Sequence, residues 1–574
     1  MKLSKIIACT FWLSILLVPQ AAICQQSATK PTVGVYYFPG WYRASGETYG
    51  HDNSKDWSEW RGAIAKAPYP RPLCGFYDDS DPRLWSYYIK WMTSHGINFI
   101  GFDWYYNDKQ DYIYESLDRG FLGNKSNQDI DFCLTWCNHG GYWWDRPLDQ
   151  SKPALIEMID RASARYFYRP NYLKIDGKPV FMVYDSDILM SFGGIDGAKA
   201  GIQAMRECAR KNGYPDLYLV GIYSSNSASY IDILKELGYD AFCAYNYAGM
   251  RGAKVNWNSV SYPYSLVVDN VVDNIHPFLA KVGKEKGITY WPTVFAGWDD
   301  RPRSGLEKSI VLTDNNPQEF GRMMQSGVKN IDPSSPVVIL EAWNEWGEGA
   351  CIEPSKKYGF GYLQEISKAL GITAGDESLP SKDEILSWSA LSPSEVDTAQ
   401  KNEAKEWPVK DPVLYKYGKS YSVRKAKMPV VVSFEQNKIA ARSLMAENLK
   451  AVDCDKEGLV LEVTGNCPRL HIKLPKIQAA QIKKIVLEAE VLDSAPEHQT
   501  PVLFEIFFKT ALMPDCSAFA SAHLPPLENG KTSILTSNIM SWEKFGTPVT
   551  GIRLDFGSGV VHKVRLKRLT ILDK

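Results

Sequence analysis

The sequence predicts an α/β fold, a (β/α)8 TIM barrel, followed by a C-terminal all-β sandwich, and three observations support this prediction. Between residues 31 and 375, eight short β-rich runs alternate with helical patterns. Several of these runs are almost continuously apolar, as expected for strands that are buried on both faces of a parallel sheet. From residue 428 onwards, short alternating strands follow one another without long helices, which favours a sandwich.

The predicted barrel strands are separated by helices with recognisable ends. Asp81 and Pro82 are typical of a helix start, and Gly96 is typical of a helix end. The alternative, an open doubly wound sheet, needs a glycine-rich phosphate loop after the first strand, and residues 36–46 lack that spacing. The predicted strands cover residues 32–38, 97–106, 131–138, 179–185, 217–223, 240–247, 289–298 and 336–346.

Composition shifts along the chain predict four parts. Residues 1–24 are the predicted signal peptide and residues 31–375 the catalytic barrel. Residues 376–427 are polar, charged and rich in proline, which is typical of a connecting segment. For the sandwich, residues 428–574, we expect a carbohydrate-binding or packing role.

The first residues are typical of an export signal. Two lysines precede an apolar stretch over residues 6–18, and small residues stand before a cleavage point at Gln25. We therefore expect an exported protein, periplasmic or extracellular, with no stable membrane span. Lipid anchoring at Cys24 is the less favoured alternative, because Ile23 stands where a lipoprotein has a small residue.

Charge and cysteine content exclude several classes of function. The formal net charge is −1, so no overall field attracts the protein to nucleic acid or anionic lipid. Nine of the 11 cysteines follow the predicted signal peptide. Their odd number and wide spacing do not indicate a disulfide framework. The sequence shows no Cys/His set with zinc spacing, so we expect no metal and no cofactor. We expect a monomer.

The ends of the predicted strands carry aromatic, amide and carboxylate side chains. In a barrel of this kind the reacting groups lie at the C-terminal ends of the strands. The chain is rich in aromatic residues, with 18 Trp and 32 Tyr, and aromatic rings stack on the apolar faces of sugars. We therefore predict a polysaccharide or oligosaccharide substrate, bound by Tyr36, Tyr37, Trp41, Asp103, Trp104, Asn138, His139, Tyr184, Tyr245, Tyr247, Trp298, Arg301, Asn344 and Trp346.

The eighth predicted strand ends in a pair of glutamates, Glu345 and Glu348. Glycosidic bonds are cleaved by paired carboxylates, one acting as acid and the other as base or nucleophile. In an aromatic pocket, two like charges push their pKa values apart, which creates a proton donor. A helix cap with solvated glutamates is the alternative interpretation. The position of the pair, after seven strands with similar polar ends, favours catalysis.

Several strings resemble the WbsX-like group that is allied to glycoside hydrolase family 99, which contains endo-α-mannosidases and endo-α-mannanases. The resemblance extends over residues 31 to about 370, and the eighth-strand string is the most specific part. The strings are "GVYYFPGWY", "GFDWYY", "YLKIDGKPVFMVYD", "PTVFAGWDDRPR" and "WNEWGEGACIEPSKKYGFGYL".

This resemblance implies a metal-independent, retaining hydrolase on a (β/α)8 barrel. By motif position, Glu345 resembles the base that deprotonates the 2-hydroxyl of the sugar, and Glu348 resembles the general acid/base. Asn344 is implied to position the sugar. Tyr245 or Tyr247 is implied to lie near the base.

One departure concerns Gly347, where the family's mannosidases commonly have histidine. The glutamate pair is retained, so the departure affects the sugar specificity more than the reaction class. The WbsX-like branch also includes proteins labelled glycosyltransferases. Because the glutamate pair is retained, an export signal is predicted and no phosphate loop is found, we expect a secreted, endo-acting glycoside hydrolase of polysaccharide degradation. A glycosyltransferase and a non-catalytic glycan-binding protein are the alternatives.

Overall fold

A computed structural model of the protein describes the residues in these ranges: 30–42, 60, 64, 71–107, 109–139, 148–190, 192–223, 228–247, 260–306, 309–403, 425–435, 444–465, 468–494, 504–510, 521–523, 532–538, 548–556 and 561–573. The predicted signal peptide, 1–24, and residues 404–424 of the predicted linker lie outside them. Within the described ranges, no helix is long and apolar enough to cross a membrane.

The first part of the chain alternates strands with helices, as predicted. Its strands are β1 (Thr32–Tyr37), β2 (Phe99–Asn107), β3 (Gln110–Tyr112), β4 (Asp131–Trp136), β5 (Lys174–Ile175), β6 (Lys178–Val183), β7 (Tyr218–Tyr223), β8 (Ala241–Ala244), β9 (Val260–Pro263), β10 (Thr289–Tyr290), β11 (Thr293–Phe295), β12 (Ile310–Thr313) and β13 (Val337–Glu341). The main sheet has the order β10, β8, β7, β6, β4, β2, β1, β13, β11, and its neighbours are parallel.

The seventh predicted strand, residues 289–298, is two strands in the structure. Its first piece, β10, pairs with β8, and its second piece, β11, pairs with β13. Pro292 lies between them, and proline has no N–H to donate to a neighbouring strand. The two pieces thereby join the two edges of the sheet, so the sheet closes into the predicted barrel.

Helices on the outside of the barrel follow local sequence signals. In α1, the side chain of Asp81 accepts a hydrogen bond from the N–H of Arg83, and Pro82 is the first helical residue. The apolar face of this helix, which includes Leu84, Tyr88 and Met92, is buried. The helices are α1 (Pro82–Ser94), α2 (Lys152–Ala162), α3 (Ser186–Met190), α4 (Gly194–Lys211), α5 (Ala228–Leu237), α6 (Tyr264–Asn270), α7 (His276–Lys286), α8 (Arg301–Ser304), α9 (Pro317–Lys329), α10 (Gly361–Ala369), α11 (Lys382–Ser387) and α12 (Pro393–Glu403).

Asp176 and Gly177 form a tight hairpin turn. Both residues have positive φ angles, 51° and 76°, which two-residue hairpin turns of the tightest kind require. The turn joins β5 and β6 in antiparallel pairing.

The C-terminal part consists of antiparallel sheets, which confirms the predicted all-β fold. Along β19, buried Ile485, Leu487 and Ala489 alternate with half-buried residues, as expected for a strand with one face on a core. The strands are β14 (Val430–Ser433), β15 (Leu444–Glu447), β16 (Leu449–Cys454), β17 (Leu459–Val463), β18 (Arg469–Ile477), β19 (Lys484–Ser494), β20 (Phe504–Thr510), β21 (Ser521–His523), β22 (Thr532–Asn538), β23 (Val549–Phe556) and β24 (Val561–Leu572). One sheet has the order β16, β17, β24, β19, β22 with β14 on β24, and the other has the order β15, β18, β23, β20, β21. The predicted domain boundaries at residues 375 and 427 stay predictions.

Candidate active site

The eighth barrel strand, β13, leads directly into a tight turn that carries both predicted catalytic glutamates. The strand ends at Glu341, and the backbone N–H groups of Glu348 and Ala350 both donate hydrogen bonds to the carbonyl of Glu345, at 3.1 and 3.2 Å. Gly349 has a φ of +66°, a left-handed conformation that costs other residues about 1 kcal/mol. Glycine therefore lets the chain fold back and hold the two glutamates at the end of the barrel.

A single guanidinium group joins the two glutamates. Arg303 Nη2 lies 3.2 Å from Glu345 Oε2, and Nη1 lies 2.9 Å from Glu348 Oε1. Glu345 is 3% exposed, and the Glu348 side chain is 18% exposed. Both carboxyl groups therefore point inward to one site.

Tyrosines form one wall of this site. The hydroxyl of Tyr245, just beyond β8, donates a hydrogen bond to Glu348 Oε2 at 3.2 Å. The ring of Tyr245 contacts the rings of Tyr36 and Tyr184, with centroids 5.6 and 5.4 Å apart. Of the two tyrosines named from the sequence beyond this strand, Tyr245 is the one that reaches the pair, and its hydroxyl bonds Glu348, the implied acid/base, whereas the resemblance implies a place near Glu345, the base.

The surroundings of Glu348 favour its protonated form. Burial and the neighbouring charge of Glu345 raise the pKa of Glu348 to about 8, although Arg303 acts in the opposite direction. Below that pH the carboxyl group holds a proton that it can donate.

Two further acids lie close to the pair. Burial, followed by the charges of Glu345 and Glu348, raises the pKa of Asp103 well above its usual range. Glu341 is fully buried, and burial with the same two charges raises its pKa well above its usual range. Among the described residues, no partner hydrogen-bonds either oxygen of Glu341 or Oδ1 of Asp103. Leaving these oxygens buried and unbonded is unfavourable, and protonation of the two acids lowers that cost.

Metal ligation has no support in the described ranges. They contain no group of three or more His, Cys, Asp or Glu side chains that could hold a metal ion.

The side-chain amide of Asn344 is hydrogen-bonded to the backbone of Phe38. Its Nδ2 donates to the carbonyl of Phe38 at 2.8 Å, and its Oδ1 accepts from the N–H of Phe38 at 2.9 Å. The side chain is fully buried. Asn344 thus fixes the segment after β1 through its paired amide, and the sugar-positioning role implied by the family resemblance stays a prediction.

Glu353 lies beneath the turn. It accepts hydrogen bonds from Tyr77, Tyr88 and Trp346, at 2.8, 2.6 and 3.0 Å. Burial raises the pKa of Glu353 to about 8, although these three donors lower it. Trp346 supports the turn through its indole N–H, and the residue is buried, 4% exposed. Its predicted role in binding substrate stays a prediction.

Tyr37 and Trp41, both predicted to bind substrate, lie in the packing around the barrel. The ring of Tyr37 contacts Trp85 of α1 at a centroid distance of 4.8 Å. Trp41 packs on Trp60 at 4.3 Å, and both rings are fully buried. A sugar cannot stack on rings that protein already covers, so this part of the prediction is corrected.

Trp104 and Tyr247 also make contacts away from the pair. Trp104 donates its indole N–H to Asp111 at 3.1 Å. The hydroxyl groups of Tyr247 and Tyr290 are hydrogen-bonded to each other. Both predicted binding residues are buried and hydrogen-bonded within the protein.

Asn138, His139 and Tyr184 follow neighbouring strands. Asn138 bonds the backbone of Asp185, accepting from its N–H and donating to its carbonyl, both at 2.7 Å, so it fastens two strand ends together. The ring of His139 lies 4.9 Å from that of Tyr184, which in turn contacts Tyr245. The structure thus connects His139 to the tyrosine wall.

The loop after β11 carries two arginines with different partners. Arg301, the predicted substrate ligand, is paired with Asp299. Arg303 is the arginine that reaches the two glutamates. Trp298 is buried, and its carbonyl accepts from the N–H of Leu312 at 2.7 Å.

Comparison with known families agrees with the motifs of the eighth strand. The sequence model of the family described as "Glycosyltransferase WbsX" matches residues 65–366, more than half of the chain. The chain belongs to the WbsX family.

Individual relatives of this WbsX-family chain are distant. The uncharacterized protein WxcX of Xanthomonas campestris pv. campestris is 24% identical over 341 residues, which are 55% of this chain and 46% of the relative. The chain thus spans about half the length of the curated relatives that it matches.

Solved structures with some similarity include a family 99 endo-alpha-mannosidase from Bacteroides thetaiotaomicron. It is 15% identical, with a TM-score of 0.40, and the match covers 59% of this chain and 96% of the enzyme. A glycoside hydrolase-like protein is 16% identical, with a TM-score of 0.42, over 60% of this chain and 95% of the other.

The WbsX motifs did not reveal Arg303 or Glu341 as site residues. The string "WDDRPRS" offers two arginines, and only the short helix α8 decides which one faces the glutamates. Two residues apart on a helix, side chains point about 200° apart. A signal for Glu341 exists, since an acid at the end of an apolar barrel strand is expensive to bury without a purpose.

Proposed function

We propose that this WbsX-family protein is a retaining, endo-acting glycoside hydrolase. Its proposed substrate is an α-linked polysaccharide of the mannose type or a related one. One observation carries the proposal: Glu345 and Glu348 share Arg303 inside a tyrosine-lined site, and the pKa of Glu348 is raised to about 8. A buried acid/base pair of this kind fits glycosidic cleavage. We further propose that the protein is exported and acts as a monomer.

In the first step, the Glu345 carboxylate accepts the proton of the sugar 2-hydroxyl. The 2-oxygen attacks the anomeric carbon, and the bond from that carbon to the leaving oxygen breaks. Glu348 donates its proton to the leaving oxygen, and a 1,2-anhydro sugar results. Tyr245 steadies the Glu348 carboxylate that is formed, because its hydroxyl already donates to Oε2.

In the second step, Glu348 accepts a proton from water, and the water oxygen attacks the anomeric carbon. The bond from that carbon to the 2-oxygen breaks, and Glu345 returns its proton to the 2-oxygen. Each glutamate ends in its starting protonation state. Two displacements at the same carbon retain the anomeric configuration.

The alternative function is glycosyl transfer, and the description of the matching family favours it. A transferase that uses nucleotide sugars needs a site for the diphosphate, which commonly includes a metal held by acids. The raised pKa of Glu348 supports hydrolysis, because protonation of a leaving sugar oxygen requires an acid at neutral pH.

A screen with two arms tests the proposal. The purified protein is incubated with α-mannans and other bacterial, fungal and plant glycans, and products are identified by mass. In parallel, it is incubated with nucleotide sugars and glycan acceptors. Oligosaccharide release that is lost in Glu345→Gln and Glu348→Gln supports the hydrolase, with the exposed Glu236→Gln as the matched control. Donor turnover without release supports the transferase.

A further inference from the structure

Arg303 approaches the glutamate pair from a different element of the barrel. Both glutamates lie on the turn after β13, whereas Arg303 belongs to α8, after β11. Its two terminal nitrogens contact one carboxylate each, at 2.9 and 3.2 Å. A planar guanidinium has a fixed fork geometry, so this contact fixes the positions of the two carboxylates relative to each other.

The arginine itself is held by a chain of contacts that begins at Asn344. The guanidinium lies over the ring of Phe38, 5.2 Å from its centroid. The backbone of Phe38 is fixed by the two hydrogen bonds with Asn344. Asn344 immediately precedes Glu345. The contacts from Asn344 to Phe38, from Phe38 to Arg303 and from Arg303 to the glutamates therefore form a closed set.

Gly347 provides the space in which the guanidinium lies. A Cβ atom on Gly347 would be 2.4 Å from Arg303 Nε and 2.7 Å from its Cζ. Atoms this close overlap, so any side chain at this position displaces the guanidinium. The φ angle of Gly347 is not in the left-handed range that favours glycine, so the effect of a side chain here comes from its contact with Arg303 and not from backbone conformation.

We propose that Arg303 is the positioning residue of the glutamate pair, and that Gly347 is glycine in order to admit it. Arg303 keeps the two carboxylates at a fixed separation and sets the proton affinity of Glu348. The pair Gly347–Arg303 therefore adjusts the working pH of the site. Its catalytic meaning rests on the proposed hydrolase function.

The charges around Glu348 give the direction of the effect. Arg303 is the cation that lowers the pKa of Glu348, against the acids that raise it. Loss of the guanidinium contact therefore raises the pKa further. The titratable groups that face Glu348 from the surrounding elements are Glu345, Asp300, Asp103, Glu341, Tyr245 and Cys351.

Three variants test the proposal: Arg303→Gln, Arg303→Lys and Gly347→Ala. Arg322→Gln, an arginine on α9 paired with Asp269 and Glu319, is the matched control. The first measurement is the pH dependence of kcat/KM for glycan cleavage. An opposite charge within hydrogen-bonding distance shifts a carboxyl pKa by about 1 to 3 units. We expect the alkaline limb to move up by about 1 pH unit in Arg303→Gln and Gly347→Ala.

Arg303→Lys separates charge from geometry. Lysine keeps the positive charge but contacts carboxylates as a point charge, without the fork. In Arg303→Lys we expect the alkaline limb of the pH profile to lie close to that of the wild type. We expect its kcat to be about 10-fold below that of the wild type, because the carboxylates are less well positioned.

The second measurement needs no activity. The pH dependence of unfolding is compared between each protein and the same protein with Glu348→Gln, which isolates the titration of Glu348. A raised folded pKa stabilises the fold below the unfolded pKa, and this stabilisation is lost as the pH rises through the folded pKa. The midpoint of this loss should move to higher pH in Arg303→Gln and Gly347→Ala.

The two measurements separate the possible failures. If no glycan is cleaved by the wild type, the proposed function fails, and the unfolding titration still decides the role of Arg303. If the titration midpoint of Glu348 is the same in Arg303→Gln as in the wild type, the positioning role is overturned. If Gly347→Ala leaves the midpoint unchanged while Arg303→Gln shifts it, the role assigned to Gly347 is overturned.

Discussion

The hydroxyl group of Tyr245, which follows β8, donates a hydrogen bond at 3.2 Å to Oε2 of Glu348, which lies on the turn after β13. A donated hydrogen bond stabilises the charged form of a carboxyl group. In the proposed mechanism, the tyrosine therefore acts on the group that is protonated before bond cleavage and charged after it.

Tyr245→Phe is expected to reduce kcat/KM by about 10- to 100-fold, since the charged form of Glu348 loses its neutral donor. The alkaline limb of the pH profile should also move upwards. Tyr214→Phe, at a half-buried tyrosine before β7, is the matched control. An unchanged rate and an unchanged pH profile in Tyr245→Phe would show that this bond has no part in catalysis.

The two glutamates are expected to respond differently to the leaving group. Glu348→Gln should reduce cleavage of a natural glycan by about 10²- to 10⁴-fold, because the leaving oxygen lacks its proton donor. An aryl glycoside with an acidic leaving group needs no proton, so Glu348→Gln should retain most of its first-step rate on it. Glu345→Gln should be impaired on both substrates. The measurement is kcat/KM for each substrate, which reports the steps up to release of the leaving group. Equal losses for both variants on both substrates would contradict the assigned roles.

Asn344→Ala is expected to act through Phe38 and Arg303. Loss of two buried hydrogen bonds should lower the free energy of unfolding by about 1 to 3 kcal/mol, and release of Phe38 should loosen Arg303 and raise the alkaline limb of the pH profile. Denaturant unfolding and the pH dependence of kcat/KM measure the two effects. A higher KM with unchanged stability and pH profile would instead favour the direct sugar contact that the family resemblance implies.

Glu353 is expected to make stability depend on pH. Its pKa is raised to about 8 in the folded protein, above its ordinary value of 4.5, so the folded state binds the proton more tightly. The free energy of unfolding should therefore fall as the pH rises from 4.5 to about 8, by on the order of 4 kcal/mol from this group.

Urea unfolding of the wild type and Glu353→Gln at several pH values between 5 and 8.5 measures this slope. The variant should show a flatter dependence, whereas Glu236→Gln, at an exposed site, should match the wild type. An equal fall of stability in the wild type and in Glu353→Gln would mean that the buried group is charged in the folded protein across this range.

Alanine substitutions at Gly349 and Gly359 distinguish the effect of backbone strain from that of steric contact. Gly349 and Gly359 have φ angles of +66° and +53°. A Cβ on Gly349 would be 3.0 Å from that of Asp299, whereas a Cβ on Gly359 would meet nothing within 4 Å. Alanine at either position should cost about 1 kcal/mol of stability. Only Gly349→Ala should also reduce glycan cleavage, and equal activity of both variants would show that the turn tolerates the contact.

Local patterns in the sequence were sufficient for the elements of the fold. The helix start at Asp81-Pro82 and the turn at Asp176-Gly177 depend on hydrogen bonds and φ angles within a few residues, so the sequence predicts them directly. The division of residues 289–298 into two strands was less accessible, because it depends on which neighbours β10 and β11 find in the closed barrel.

For the site, the sequence by itself determined the glutamate pair and its place at the end of the eighth strand, because spacing along one turn fixes where Glu345 and Glu348 stand. Only the tertiary structure decided which distant groups meet them. Arg303 and Tyr245 reach the pair from other strands, whereas Tyr37 and Trp41 are covered by packing. The physical reason is that proton affinity and access depend on burial and on charges brought together by folding, and neither is a property of local sequence.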